Sequence, residues 1–192
     1  MPRPRGFDPE SAVEAAMNVF WDGGYTATST DDLCRGTGVG RSSLYNTFTS
    51  KRELYQKSLR RYAERTRATQ SDLLERPGPV RAIIRDFLTE ALRNQLADPR
   101  RRGCLALNAA VEIGNSDDDV ATLVRSDFDA IVDTMRALIE RGQRDGELSP
   151  DLDPLAVARL VHSSLVGVHV VGRVTDKPER VTDIIDALID AL

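Results

Sequence analysis

Apolar side chains recur along the chain every three or four residues, which is the spacing of one face of an α-helix. The first run with this spacing contains Val13, Ala16, Met17, Phe20 and Trp21. Further runs fall in residues 80–92, 120–139, 155–171 and 181–192. No stretch alternates between apolar and polar residues for long enough to require a β-sheet. The pattern predicts an all-α protein of about nine helices.

Start and stop signals set the order of these helices. Asp8 and Asp153 each precede a proline, so a carboxylate can cap the helix and the proline can occupy its first position. Short helices are expected from about residue 30 and over 41–47, and a longer one over 51–74. The segment Pro77-Gly78-Pro79 then separates this N-terminal part from the rest of the chain.

Residues 28–48 contain two short helical segments joined by a glycine-containing turn, which is the pattern of a helix-turn-helix. Gly38 permits the tight turn, and Val39 is expected to fill the angle between the helices together with Leu33 and Leu44. The second helix then projects short donors, a long cation and a phenol, which suit base edges and phosphates in a major groove. The projecting residues are Arg41, Ser42, Ser43, Tyr45 and Thr47.

The charge distribution supports an anionic partner at the N-terminal end. Residues 1–67 hold eleven Lys and Arg against eight acidic residues, a net charge of +3, whereas the remainder carries −7. A basic head on an acidic body favours DNA as the partner of the head. Random scatter of charge is the alternative explanation for this feature alone.

An ordered set of residues over about 45 positions resembles the TetR/AcrR family of transcriptional regulators. The residues that carry the resemblance are Phe20, Gly24-Tyr25, Thr28, Leu33, Gly38-Val39, Ser43-Leu44-Tyr45, Phe48, Ser50-Lys51 and Leu54. The resemblance implies a three-helix DNA-binding domain over 1–49, a linking helix over 51–74, and a ligand-binding and dimerisation domain over 75–192.

The same resemblance assigns the contacts with double-stranded operator DNA. It places Arg41, Ser42 and Ser43 against bases and phosphates at the start of the recognition helix, and Thr47 near the end of that helix. It makes Tyr45 and Lys51 phosphate contacts and has Thr30 donate to the DNA backbone. Arg3 and Arg5 occupy the place of a basic arm. Tyr45 can instead serve only in packing, and Lys51 can be a solvated charge.

The last two helices, over 154–174 and 178–192, hold the positions that form a dimer interface in this family. Residues 155–171 are apolar nearly all round the helix, so this helix must be buried on more than one side. Burial within one protomer is the alternative. A homodimer presents two recognition helices to the two half-sites of a palindromic operator.

The resemblance also implies that an unidentified small-molecule effector binds the body and releases the operator. Cys104, Asn108, Glu112 and His162 are the candidate ligand-binding residues. Asn108 and Glu112 are four residues apart and share a helix face, but they can equally bind a neighbouring helix or face solvent. His162 can be a core or interface histidine. Cys104 follows three arginines, so thiol modification is a second route to release, although a buried cysteine is usually a core residue.

The sequence offers few patterns that would indicate metal binding, disulfides or catalysis. The chain has two cysteines and two histidines at spacings that suit neither a metal site nor a disulfide framework, and it lacks the nucleophile and phosphate-loop motifs of common enzymes. We therefore expect no catalysis, no cofactor, no metal, no membrane association and a cytoplasmic location. A helical interaction module without DNA affinity is the alternative class. Repression is expected from the family, since no residue encodes the sign of regulation.

Overall fold

In a computed structural model that describes residues 7–192, the described chain forms nine α-helices and no strand. In chain order they are α1 (Pro9–Gly23), α2 (Thr30–Thr37), α3 (Arg41–Thr47), α4 (Lys51–Glu75), α5 (Val80–Ala97), α6 (Leu105–Ile113), α7 (Asp118–Arg144), α8 (Pro154–Val174) and α9 (Glu179–Asp190). The predicted all-α fold is confirmed. The basic arm predicted at Arg3 and Arg5 lies outside the described residues.

Local capping explains where several helices begin. The Asp8 carboxylate accepts from the backbone N–H of Ser11 at 3.0 Å, and Asp153 accepts from Leu155 at 2.9 Å. Ser29 caps α2 in a reciprocal arrangement, because its hydroxyl accepts from the Asp32 N–H while the Asp32 carboxylate accepts from the Ser29 N–H. These caps satisfy donors that an α-helix leaves unpaired in its first turn.

The described chain divides into two compact units. One unit holds the described residues up to Arg65 together with Leu105–Arg125. In it α1 packs against α2, and α2 packs against α3. Its buried side chains include Met17, Phe20, Leu33, Leu44, Leu54 and Tyr55. The division into functional domains at 1–49 and 75–192 is a different partition and stays a prediction.

The other unit holds Thr66–Cys104 and Ser126–Leu192. In it α5, α8 and α9 pack against one another around one apolar core. Core residues on α8 recur on one side of the helix and are Val157, Ala158, Val161, Leu165 and Val168. By length and composition alone α8 is also apolar enough to cross a membrane, a property that core helices of soluble proteins share.

Candidate nucleic-acid interface

The turn between α2 and α3 has the geometry that the sequence predicts. Gly38 ends α2 with φ of 69°, in the left-handed region where glycine carries no steric penalty. Leu33, Val39 and Leu44 are all buried around this turn. The two helices are therefore held at a fixed angle, with α3 presented outward as a helix-turn-helix requires.

Helix α3 separates its buried and exposed residues cleanly. Leu44 and the following Phe48 are buried, whereas Arg41, Ser42 and Ser43 are exposed. Asn46 is also exposed, and sequence reasoning omitted it. The signal for Asn46 was present, because a step of about 100° per residue places it on the side of the helix opposite Leu44 and Phe48.

Two of the predicted DNA contacts are hydrogen-bonded to each other. The Tyr45 hydroxyl lies 2.7 Å from Oγ1 of Thr30, at the first turn of α2. Tyr45 is 37% exposed and Thr30 is half-buried, as is Thr47 at the end of α3. The phenol is therefore positioned by α2 as well as by its own helix.

Lys51 has partners within the protein that sequence reasoning missed. Its Nζ donates to the backbone carbonyl of Thr28 at 2.7 Å and lies 4.5 Å from the centre of the Tyr25 ring. The lysine thus fixes the loop that leads into α2 by a hydrogen bond and a cation–π contact. A phosphate contact by Lys51 stays a prediction, and it would have to coexist with these contacts.

Glu112 on α6 lies against the same loop. Its carboxylate accepts from the backbone N–H of Tyr25 at 2.8 Å and of Thr26 at 2.6 Å. Burial acts to raise the pKa of Glu112, but the hydrogen bonds from Thr26 and Tyr25 and the charge of Lys51 together hold it below its usual range. The predicted use of Glu112 in a ligand pocket gains no support from this geometry, because both carboxylate oxygens already hold the loop before α2.

A second ion-pair network in this unit joins α4 to the start of α7. The Arg52 guanidinium donates to both carboxylate oxygens of Asp117, at 2.6 and 2.8 Å, and to Asp119 at 2.8 Å. Hydrogen bonds from Arg52 hold the pKa of Asp117 below its usual range. This bidentate pairing fixes orientation, which a single exposed ion pair does poorly.

The other candidate effector residues belong to different elements of the chain. Cys104 is buried immediately before α6, and Asn108 is half-buried within that helix. His162 is half-buried on α8, with its ring centre 4.8 Å from that of Phe128. Burial lowers the pKa of His162, so this imidazole is neutral at physiological pH.

The arginines before Cys104 have partners of their own. Arg101 donates to the carbonyl of Thr175 at 2.6 Å, and Arg102 donates to the Asp98 carboxylate at 2.7 Å. These contacts direct two of the three guanidinium groups elsewhere, which weakens the electrostatic argument for a reactive thiolate. Within the described residues, no group of three or more His, Cys, Asp or Glu side chains is arranged to hold a metal ion.

Comparison with known proteins agrees with this geometry. The family of bacterial regulatory proteins of the tetR type matches residues 12–57, and the tetracyclin repressor-like C-terminal domain matches residues 80–188. The chain belongs to the TetR family. It is accordingly a DNA-binding transcriptional regulator. The helix-turn-helix of α2 and α3 lies within residues 12–57, the part that matches the family of bacterial regulatory proteins.

Relatives resemble this TetR-family protein over most or all of its length. The HTH-type transcriptional regulator YezE of Bacillus subtilis (strain 168) is 32% identical, with 100% of each chain covered. The HTH-type transcriptional repressor ComR of Escherichia coli (strain K12) is 27% identical, over 89% of this chain and 82% of ComR. Among solved structures, a cysteine mutant of the TetR-family regulator CifR in complex with 26-bp double-strand operator DNA is 28% identical. It covers 98% of this chain and 99% of its own, with a TM-score of 0.86.

Proposed function

We propose that this protein is a homodimeric repressor that binds a palindromic operator and is released by a small-molecule effector. The observation that carries the proposal is the exposed face of α3, where Arg41, Ser42 and Asn46 project while Leu44 anchors the helix. Projecting donors of this kind can hydrogen-bond to base edges in a major groove. Repressors among the relatives, such as ComR of Escherichia coli, support the sign of regulation.

The dimer interface is proposed to form on the side of α8 that faces away from the core. Leu160 is 51% exposed, Val170 is 54% exposed and Val174 is 81% exposed. Between them on the same side lies Gly167, where an added Cβ would meet no atom within 4 Å. On α9, Ile184 is likewise exposed. An apolar face with a small residue at its centre suits close approach by the same face of a second copy.

Footprinting on the DNA upstream of the gene tests the proposal, together with the mass of the protein in solution. We expect a protected site with two-fold sequence symmetry, with half-sites about one helical turn apart or a multiple of it. The protein should have the mass of a dimer in solution. A monomer that protects an asymmetric site would contradict the homodimer.

Effector release is proposed to involve the body of the protein, in the cytoplasm where the operator lies. Thiol modification at Cys104 is the second candidate route, and the buried position of this cysteine requires the local structure to open before a reagent reaches it. Mass spectrometry after mild peroxide treatment, compared with operator binding, distinguishes the two routes. Operator release without modification of Cys104 would remove the thiol route.

A further inference from the structure

Within the second unit, hydrogen bonds join α4 to α7 at two places along a seam between the two helices. The Thr66 hydroxyl donates to Oδ1 of Asp127 at 2.9 Å. At the far end, Nη1 of Arg141 donates to the carbonyl of Leu74 at 3.1 Å. Leu73, from α4, and Ile131, from α7, lie in the apolar core of this unit. Both helices of the seam therefore also contribute side chains to the apolar core of this unit.

Asp127 and Gln70 are both buried, and each has one polar side-chain atom without a hydrogen-bond partner. Asp127 is 2% exposed and its Oδ2 accepts no hydrogen bond. Gln70 is 6% exposed and its Nε2 donates none. Leaving such a buried atom without a hydrogen bond destabilises the folded protein, and a leucine or isoleucine at either position would avoid that cost. A site that retains one orphaned acceptor and one orphaned donor is suited to a ligand that offers the opposite pair.

The position of Gln70 relative to Thr66, which is hydrogen-bonded to Asp127, indicates which ligand group can pair with both atoms. Gln70 follows Thr66 by four residues on the same face of α4, which is a rise of about 6 Å. A carboxamide places its N–H donor and its carbonyl acceptor side by side. With two hydrogen bonds of about 2.9 Å it can bridge one helical turn. A protonated amine can serve Asp127 but offers no acceptor to Gln70.

We propose that Asp127 and Gln70 form an effector subsite that binds a carboxamide group, with Oδ2 of Asp127 accepting from its N–H and Nε2 of Gln70 donating to its carbonyl oxygen. Thr66 is the positioning residue, since its hydrogen bond occupies Oδ1 and leaves Oδ2 for the ligand. The identity of the effector class rests on the proposed function, whereas the binding site itself can be tested without DNA.

Calorimetric titration of the full chain with three probes of matched ring size tests the subsite. Benzamide should bind, whereas toluene and protonated benzylamine should bind at least about tenfold more weakly, the loss expected for one missing hydrogen bond. Gln70→Leu and Asp127→Asn should each weaken benzamide by about tenfold or more. Asp129→Asn makes the same substitution at an exposed position two residues away and should leave the affinity unchanged.

Melting curves show whether the variants are folded. Gln70→Leu removes an unpaired buried group, so this variant should melt at or above the wild-type temperature. The proposal is overturned if benzamide does not bind the wild-type protein up to its solubility limit, or if toluene binds equally well. Equal benzamide affinity in Gln70→Leu would also overturn it. If the site holds only water, benzamide will not bind the wild-type protein, and the proposal is overturned.

The outcome also separates this subsite from the proposed function. If benzamide binds with the expected pattern and operator DNA stays bound, the subsite stands and its role in release falls. If another compound releases the operator while benzamide does not bind, the proposed function stands and the carboxamide subsite falls.

Discussion

The Glu112 carboxylate accepts a hydrogen bond of 2.6 Å from the backbone N–H of Thr26, a residue 86 positions earlier in the chain. Thr26 lies in the loop between α1 and α2, so a residue of α6 holds the entry to the helix-turn-helix. Lys51 holds the same loop through the carbonyl of Thr28. The placement of α2, and of α3 that follows it, therefore depends on charged side chains outside both helices.

Replacement of Glu112 by glutamine should weaken both the loop and operator binding. The neutral amide keeps one acceptor but loses the charge-assisted bonds, so we expect a loss of about 1 kcal/mol in stability. Operator affinity should fall by up to about tenfold if the loop positions α2 and α3. Thermal melting and DNA titration measure the two effects. Glu90→Gln, at an exposed position on α5, is the control and should change neither.

The stabilising contribution of the Glu112 carboxylate should depend on pH. Because the pKa of Glu112 is held below its usual value of about 4.3, its contribution is complete above that value and is lost as the pH falls through the lower folded-state value. The difference in melting temperature between wild type and Glu112→Gln should therefore shrink in acid. A difference that is constant between neutral and acidic pH would contradict the role of the ionised carboxylate.

The contribution of Asp127 to stability should depend on pH in the opposite direction. Burial raises its pKa, and the Thr66 hydrogen bond and the charge of Arg67 only partly oppose this. The ionised form is then the costly one in the folded protein, so the cost appears as the pH rises above about 3.9 and is complete above the folded-state pKa. Asp127→Asn should raise the melting temperature at neutral pH, with a gain that shrinks as the pH approaches 4. A loss at neutral pH would contradict the assignment.

Lys51 offers a direct measurement of whether it also reaches DNA. If its ammonium contacts a phosphate, Lys51→Met should reduce the slope of log affinity against log salt by about 0.9. The melting temperature should fall as well, because the bond to Thr28 and the contact with Tyr25 are lost. A lower melting temperature with an unchanged salt slope would leave Lys51 a purely structural role.

The dimer interface can be tested at Gly167, where a side chain has open space within the protomer. Gly167→Leu should stabilise the isolated helix by up to about 1 kcal/mol, because glycine is a poor helix former. The same side chain would collide with a partner helix packed on this face. We therefore expect dissociation to monomers, measured by light scattering, without a loss of helix content.

A matched pair of valines provides the control for that interface. Val174 on α8 and Val111 on α6 are each 81% exposed. Val174→Lys should weaken the dimer because it places a charge in the proposed contact, whereas Val111→Lys should leave the mass in solution unchanged. Equal behaviour of the two variants would place the interface elsewhere.

Much of the fold could be predicted from the sequence because its signals are local. The caps at Asp8 and Asp153 lie within one turn of the helices they begin, and the burial of Leu33 and Leu44 follows from helical spacing. The bonds of Glu112 could not be predicted, since their donors are 86 and 87 residues away in the chain. Sequence spacing suggested a ligand role for Glu112 because Asn108 lies one turn before it on the same helix face. Nothing in the sequence near Glu112 indicates that its hydrogen-bond partners lie in a distant loop.

The DNA-binding face of α3 is tested most directly by anisotropy titration of the DNA upstream of the gene, at several salt concentrations. Arg41→Ala removes an exposed arginine from α3, and Arg93→Ala removes one from α5 with the same change in net charge. We predict that the wild-type protein and Arg93→Ala bind one site specifically, and that Arg41→Ala loses about 1–3 kcal/mol of discrimination against unrelated DNA. Equal discrimination by the two variants would contradict the assignment of α3 as the recognition helix.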